Sequence, residues 1–317
     1  MPPDLWTLAF LKDFDLLVEH LCEDTGFTPT QIRDLSDAPD RYWYREAPKH
    51  SGGKRNISEP KPYLRRVQDV LRFDIQQLDI HEAAHGYVQG RNPRTAVEPH
   101  AGAEVLVTCD TKNFYEHITR ERVVARLREQ GACASSAVLI ANLCTDRDRL
   151  PQGTPTSPAL ANTVSYHFDE AVAKKAAQHG FAYTRYVDDL LFSRQQPGSR
   201  RVVKILLAQV RKLLHHYASL WGPQLSRGVR VPEYGQLHKV KIARPHQRQE
   251  ALSLVLNATW EGPWARVPRE ERRRLRAALH QQAQGDSPLW SDATIAGKKA
   301  YVAQVMKEAS PEGDGPR

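Results

Sequence analysis

The stretch Tyr186-Val187-Asp188-Asp189 decides how the centre of this chain folds. It lies between two apolar, β-prone runs, FAYTR at 181–185 and LLFS at 190–193. Such runs on both sides of a turn-forming pair predict a β-hairpin whose acidic tip points away from the sheet. Two adjacent carboxylates repel, and each raises the pKa of the other unless a cation lies between them. The pattern favours a divalent metal site, whereas an isolated Asp-Asp pair is usually a solvated turn.

A third carboxylate, Asp110, ends an apolar segment that starts at Glu104. The segment predicts a buried strand that passes through a turn into a helix over 116–130. Beside the acidic hairpin, Asp110 would complete a site for two Mg²⁺ ions about 3.5–4 Å apart, the geometry of in-line phosphoryl transfer. Oxygen ligands favour Mg²⁺, with Mn²⁺ as the alternative, over zinc. Asp110 also fits the N-cap of the following helix, and both roles are compatible.

Six motifs stand in the order found in reverse transcriptases. The finger motifs are RNISEP (55–60) with LRRVQ (64–68), and AHGYVQGR (84–91). The palm motifs are DTKNFY (110–115), LPQGTPTSPALAN (150–162), YTRYVDD (183–189) and HKVKI (238–242). The chain resembles reverse transcriptases over about 42–257, and most closely the short bacterial enzymes of retrons and related defence systems. One such match is weak, but six in order are specific.

The resemblance implies an α+β fold with the right-hand polymerase architecture, in which the palm has an antiparallel sheet and packed helices. We expect an N-terminal helical region (1–41), fingers (42–100), a palm with finger-like insertions (101–245), a helical thumb (246–309) and a disordered tail (310–317). Periodicity predicts helices over 5–22, 202–220, 269–284 and 297–308. A Gly- and Pro-rich connection over 221–236 is longer than is usual in the family.

The resemblance also assigns roles to residues. The catalytic residues would be Asp110, Asp188 and Asp189, and the metal ligands would be the same three with Thr111. The nucleotide-binding candidates are Arg65, Tyr115, Gln152, Gly153 and Lys239. The nucleic-acid-binding candidates are Arg55, Arg91 and Tyr186.

Tyr115 follows Asp110 by five positions, where the family places an aromatic gate against the 2′-hydroxyl of ribonucleotides. The neighbouring Phe114 is expected in the core. Gly153 would let the backbone approach a nucleotide just before a helix rich in Ala and Leu. A plain helix-entry loop is the competing interpretation.

The basic residues carry two interpretations each. A guanidinium such as that of Arg65 grips a triphosphate bidentately, but arginines on a finger domain are usually solvated. Lys239 fits a place near the leaving pyrophosphate and equally a plain strand end.

The 317 residues include 45 Lys and Arg against 37 Asp and Glu, a net charge of +8 that favours a polyanionic partner. Basic clusters occur at 49–55 and 269–276; mixed signs in the second favour a solvated helix face, with contact to a duplex backbone left open. Neither a long apolar run nor a signal peptide occurs, so we expect a cytoplasmic protein without a membrane partner. The four cysteines lack metal-site spacing and are expected to be reduced.

The implied function is an RNA-directed DNA polymerase that copies a dedicated structured non-coding RNA, as template and primer, into DNA from dNTPs. Antiphage defence is the implied setting, with an effector protein as a further partner. Two departures from retron enzymes stand out: of their NAxxH element only His100 is kept, and none of VTG is kept at 251–253. The alternatives are a defence-associated reverse transcriptase outside the retrons and a catalytically silent RNA-binding scaffold. An RNA-templated RNA polymerase is disfavoured by Tyr115.

Overall fold

The computed structural model describes residues 7–48, 53–219, 237–257, 265–284 and 290–307. Residues 49–52 of the first basic cluster, the connection over 221–236 and the tail from 310 lie outside this part of the chain.

The N-terminal part is a helical layer with one β-hairpin. Its elements are α1 (Thr7–Lys12), α2 (Phe14–Thr25), α3 (Pro29–Asp37), β1 (Tyr42–Pro48), β2 (Lys54–Pro60) and α4 (Pro62–Ile75). The helical region predicted over 5–22 consists, from residue 7 onward, of two helices, because Asp13 separates α1 from α2. Its side chain caps α2 by accepting hydrogen bonds from the backbone N–H groups of Asp15 (2.9 Å) and Leu16 (3.3 Å). A turn follows α2, with Gly26 in the left-handed conformation that ends a helix.

The middle of the chain alternates helices with strands. It contains α5 (Pro93–Val97), β3 (Val105–Thr111), α6 (Arg120–Glu129), α7 (Ala134–Cys144), α8 (Ser157–Val164), α9 (Tyr166–Gln178), β4 (Ala182–Tyr186), β5 (Asp189–Arg194) and α10 (Arg200–Ser219). The helix predicted over 116–130 starts late: Tyr115–His117 is a 3₁₀ turn, and Thr119 caps α6. The N-cap role considered for Asp110 is therefore wrong.

The C-terminal part consists of β6 (Leu237–Ala243), β7 (Glu250–Ala251), β8 (Leu254–Val255), α11 (Arg269–Gln284) and α12 (Asp292–Lys307). The predicted helix over 269–284 is confirmed, whereas α12 begins five residues before the predicted 297. A tight turn at Leu252 and Ser253, both with positive φ, joins β7 to β8.

An antiparallel four-stranded sheet in the order β4-β5-β3-β6 forms the centre of the fold. Alternate residues face opposite sides. Val107 and Phe192 pack with α9 and α10, whereas Leu106 and Leu191 pack with β8 and α12. A separate core joins the N-terminal helices to α6, α7 and α8. The predicted α+β class with an antiparallel sheet is confirmed.

Candidate active site

The hairpin of β4 and β5 places two carboxylates at its tip. Tyr186 pairs with Asp189, so the two-residue turn consists of Val187 and Asp188, and Asp189 opens β5. Val187 has φ of 60°, a strained conformation for a β-branched residue. The backbone carbonyl of Asp188 accepts a 2.8 Å hydrogen bond from the N–H of Thr111 at the end of β3.

The sheet register brings in the third carboxylate. Asp110 is directly opposite Asp189 in the β3–β5 pair, and residues opposite each other in a sheet present side chains on the same face. The three carboxylates, predicted from two separate motifs, therefore lie at one end of the sheet.

These carboxylates are crowded and only partly neutralised. Burial, together with the charge of Asp110, raises the pKa of Asp188. Burial, together with the charges of Asp188 and Asp110, raises the pKa of Asp189 to about 7. The Lys239 ammonium lies 3.2 Å from Oδ2 of Asp110. The other oxygen, Oδ1, is buried without a hydrogen-bond partner.

The donor set suits a hard divalent cation, since carboxylate oxygens are the ligands Mg²⁺ prefers and Oδ1 of Asp110 lacks a partner. The three carboxylates nevertheless face two cavities. Asp188 lines one, Asp110 lines a second beside Lys239, and Asp189 borders both. Within the described ranges no three His, Cys, Asp or Glu side chains are grouped closely enough to hold a metal ion.

The cavity that contains Asp188 has a volume of about 540 Å³ and unites most of the predicted site residues. Those predicted for nucleotide or nucleic acid and lining this cavity are Arg55, Tyr115, Gln152, Gly153 and Tyr186. Burial raises the pKa of the Tyr115 hydroxyl, and the nearby Asp188 charge raises it further. Phe114, expected in the core, is half-buried against the N-terminal core, and its ring lies 5.6 Å from the Arg185 guanidinium.

Two glycines let loops close around this cavity. A Cβ on Gly86 would lie 2.6 Å from the Val187 side chain and 2.9 Å from its backbone nitrogen, so the 81–90 loop can touch the hairpin tip only with glycine there. Gly153 has φ of 110°, and a Cβ would lie 2.6 Å from Ile57. Ser58 fastens this second loop by donating a 2.8 Å backbone hydrogen bond to the carbonyl of Gln152.

A fully buried ion pair lies directly beneath the hairpin tip. The guanidinium of Arg185 makes hydrogen bonds of 2.7–3.1 Å to both carboxylate oxygens of Asp169. It also donates to Oδ1 of Asn162 (3.1 Å) and to the carbonyl of Val187 (3.0 Å). The amide of Asn162 then donates to the carbonyl of Gly86 at 2.7 Å. This network, here called the Arg185 hub, holds the strained turn and the 81–90 loop together.

Three predicted residues lie elsewhere. Arg65 pairs with Asp69 (3.5 Å) and lines a separate cavity between α2, α4 and the β1–β2 hairpin. Arg91 donates to the backbone carbonyls of Glu82 and Ala84, so its guanidinium fastens the 81–90 loop. Thr111 is buried, and its side chain lines a small cavity on the other side of β3.

Sequence reasoning missed residues that the fold brings to the site. Arg72 on α4 lines the 540 Å³ cavity, and its buried Nε lacks a hydrogen-bond partner. Arg185 and Asn162 lay inside quoted motifs without a role. Asp169 offered no signal, since a lone acidic residue in a helix is usually solvated.

The chain belongs to the reverse transcriptase family. Residues 47–226 match the family described as reverse transcriptase (RNA-dependent DNA polymerase).

Within this family the chain is similar to retron reverse transcriptases, which confirms the predicted resemblance. It is 36% identical over 300 residues to the retron Mx162 reverse transcriptase of Myxococcus xanthus, covering 84% of this chain and 59% of that protein. It is 32% identical over 280 residues to the retron Mx65 enzyme of the same organism, covering 82% and 60%. With the retron Ec86 enzyme of Escherichia coli it shares 26% over 227 residues, covering 71% and 64%. The chain thus spans about three fifths of the length of the first two relatives.

None of the helices in the described segments has the length and apolar character needed to cross a membrane.

Proposed function

We propose that this protein is an RNA-directed DNA polymerase of the retron type, which copies a dedicated structured non-coding RNA into DNA. The meeting of Asp110, Asp188 and Asp189 at one end of the sheet, beside a 540 Å³ cavity, carries this proposal. In polymerase terms, the central sheet with α9 and α10 is the palm, the β1–β2 hairpin and its helices are the fingers, and α11 and α12 belong to the thumb.

The residues around the cavity have different proposed roles. Asp110, Asp188 and Asp189 would hold two Mg²⁺ ions, which when bound activate the primer hydroxyl and hold the triphosphate. Arg55 and Arg72 present guanidinium groups from the finger side for the phosphates. Lys239 holds Oδ2 of Asp110, and this contact places its ammonium at the neighbouring cavity.

Tyr115 is proposed to select deoxynucleotides. Its half-buried ring lines the cavity next to the hairpin tip, where it would pack under the incoming sugar. A 2′-hydroxyl would then meet the ring. This role favours DNA rather than RNA as the product.

The biological setting is proposed from the relatives: antiphage defence, in which the structured RNA serves as template and primer and an effector protein is a further partner. A catalytically silent scaffold explains less, because it has no need for three crowded carboxylates with raised pKa values at two of them.

The test is to express the protein in its native gene neighbourhood and to sequence the nucleic acid that co-purifies with the wild type and with Asp188→Asn. A discrete RNA joined to complementary DNA, lost in the variant, is the expected result. RNA without DNA in both samples would contradict the polymerase and support the scaffold.

A further inference from the structure

Helix α10 carries a basic stripe that no part of the described chain neutralises. Over Arg200–Ser219 it contains five Lys and Arg and no Asp or Glu. Four exposed cations, Arg201, Lys204, Arg211 and Lys212, follow helical spacing on one face, with exposed Ala208 between them. At about 1.5 Å per residue this stripe is roughly 17 Å long.

Other arginine-rich helices of this protein also carry acidic side chains that pair with part of their charge. On α11, Arg274 pairs with Glu270 at 2.8 Å, and Glu271 pairs with Lys298 of α12 at 3.2 Å. On α6, Arg126 pairs with Glu129 at 3.0 Å. No ion pair within the described segments involves the four stripe cations.

The helix packed against α10 does not supply the missing charge either. Helix α9 carries two carboxylates. Asp169 forms its ion pair with Arg185. Glu170 lies 3.5 Å from the His167 ring and forms no ion pair with the stripe cations. Four uncompensated cations in a row cost the fold through mutual repulsion, which an external polyanion would relieve.

The stripe lies on the far side of the sheet from the carboxylates. The buried face of α10, including Leu206 and Val210, packs on the sheet side that holds Val107 and Phe192. Asp110 and Asp189 belong to the end of β3 and β5 that borders the 540 Å³ cavity and its neighbour. A ligand on the stripe is therefore separated by two layers from the strand being copied.

The stripe carries no Trp, Tyr or Phe, and the exposed His215 is the one aromatic ring on its face. The one Trp, Tyr or Phe of α10 is Tyr217, whose hydroxyl donates to the carbonyl of His167 at 2.9 Å. Single strands are held by stacking bases on aromatic rings, whereas duplexes present their phosphates to basic side chains. We propose that the exposed face of α10 docks the phosphate backbone of a double-stranded RNA stem, outside the catalytic cavity. This docking proposal rests on the proposed function only because it takes the stem to be part of the structured RNA.

The test measures binding of a blunt 16-base-pair RNA duplex while the catalytic cavity is saturated with an unlabelled short primer–template. The variant is Arg201→Gln/Lys204→Gln/Arg211→Gln/Lys212→Gln, and dNTP incorporation on the primer–template is measured in parallel. Because each phosphate contact contributes about 0.9 to the salt slope, the slope should fall by about 3 to 4. Affinity at 0.1 M salt should fall by at least roughly 10³-fold, with incorporation unchanged.

A matched pair of variants removes the effect of net charge. Lys204→Gln/Lys212→Gln takes two charges from the stripe, and Lys12→Gln/Lys174→Gln takes two from exposed positions elsewhere. The first should lower the slope by about 2, and the second should leave it unchanged. Equal losses in the two variants overturn the proposal. If the wild type incorporates no nucleotide but its duplex binding still depends on the stripe, the proposed polymerase fails and the docking surface stands.

Discussion

Two groups of buried charges meet at the β4–β5 hairpin, and their environments are opposite in kind. In the Arg185 hub, Arg185 and Asp169 are both fully buried, and each finds hydrogen-bond partners at 2.7–3.1 Å. At the tip, Asp188 and Asp189 have raised pKa values, and one oxygen of Asp110 is buried without a partner. The difference separates charges that stabilise the structure from charges that the fold leaves uncompensated, since a fold does not gain stability from repelling carboxylates.

The largest expected effect separates activity from stability at the tip. Asp189→Asn should lower nucleotide incorporation by at least about 10⁴-fold, because a metal-binding carboxylate supplies several kcal/mol of transition-state stabilisation. The same variant should raise the denaturation midpoint, because it removes a charge that burial and two neighbours disfavour. Primer extension and urea titration measure the two effects. A variant that loses stability along with activity would show that the carboxylates are structural.

Removing a charge from the Arg185 hub should lower stability, the opposite of the effect expected at the tip. Asp169→Asn leaves a fully buried guanidinium without its counter-charge and should lower the free energy of unfolding by about 3–5 kcal/mol. Glu170→Gln, the neighbouring exposed carboxylate, is the control and should change it by less than about 0.5 kcal/mol. Urea titration of both variants checks the contrast. Similar values for the two would mean that the hub does not hold the hairpin.

A substitution in the wall of the cavity should have a smaller effect, on the selection between ribonucleotides and deoxynucleotides alone. Tyr115→Ala should improve the use of ribonucleotides relative to deoxynucleotides by roughly 10²-fold, because the ring no longer excludes the 2′-hydroxyl. Tyr115→Phe keeps the ring and should keep the selection. Competition between dNTPs and rNTPs on one RNA template is the measurement. Unchanged selection in Tyr115→Ala contradicts the gate.

The sequence was informative where one short motif contains both the turn-forming residues and the acidic side chains. The hairpin and the strand of Asp110 were predicted because apolar runs and turn residues are local signals. The partner of Arg185 was not, since Asp169 lies 16 residues earlier on a helix and only the fold joins them. Arg72 was missed for the same reason: its position on α4 shows no sign of the cavity it lines. Arg65, taken from a motif position, lies at a different cavity.

The smallest effect concerns a third buried group, His100, which lies in the turn Glu98–His100 and packs against the hairpin. Its ring nitrogens lie 2.7 Å from the hydroxyl of Ser193 on β5 and 2.8 Å from that of Thr184 on β4. Burial lowers the pKa of His100 to about 3. The unfolded chain, with an ordinary histidine pKa of about 6.5, therefore binds this proton first as the pH falls.

This difference fixes the sign of the pH dependence. Between about pH 6.5 and 3 the unfolded state holds more protons, so stability falls with falling pH, by about 2 kcal/mol between pH 7 and 5 from His100 alone. His100→Gln keeps one hydrogen-bonding side chain but cannot titrate. It should be less stable than the wild type at pH 7 and should lose about 2 kcal/mol less on going to pH 5. The pKa values of His85 and His117, both lowered by burial to about 4, give the same background slope in both proteins. Parallel pH profiles of stability for the wild type and the variant would mean that His100 binds its proton equally well in the folded and unfolded states. The buried site beside the hairpin would then accept a positive charge without a counter-ion.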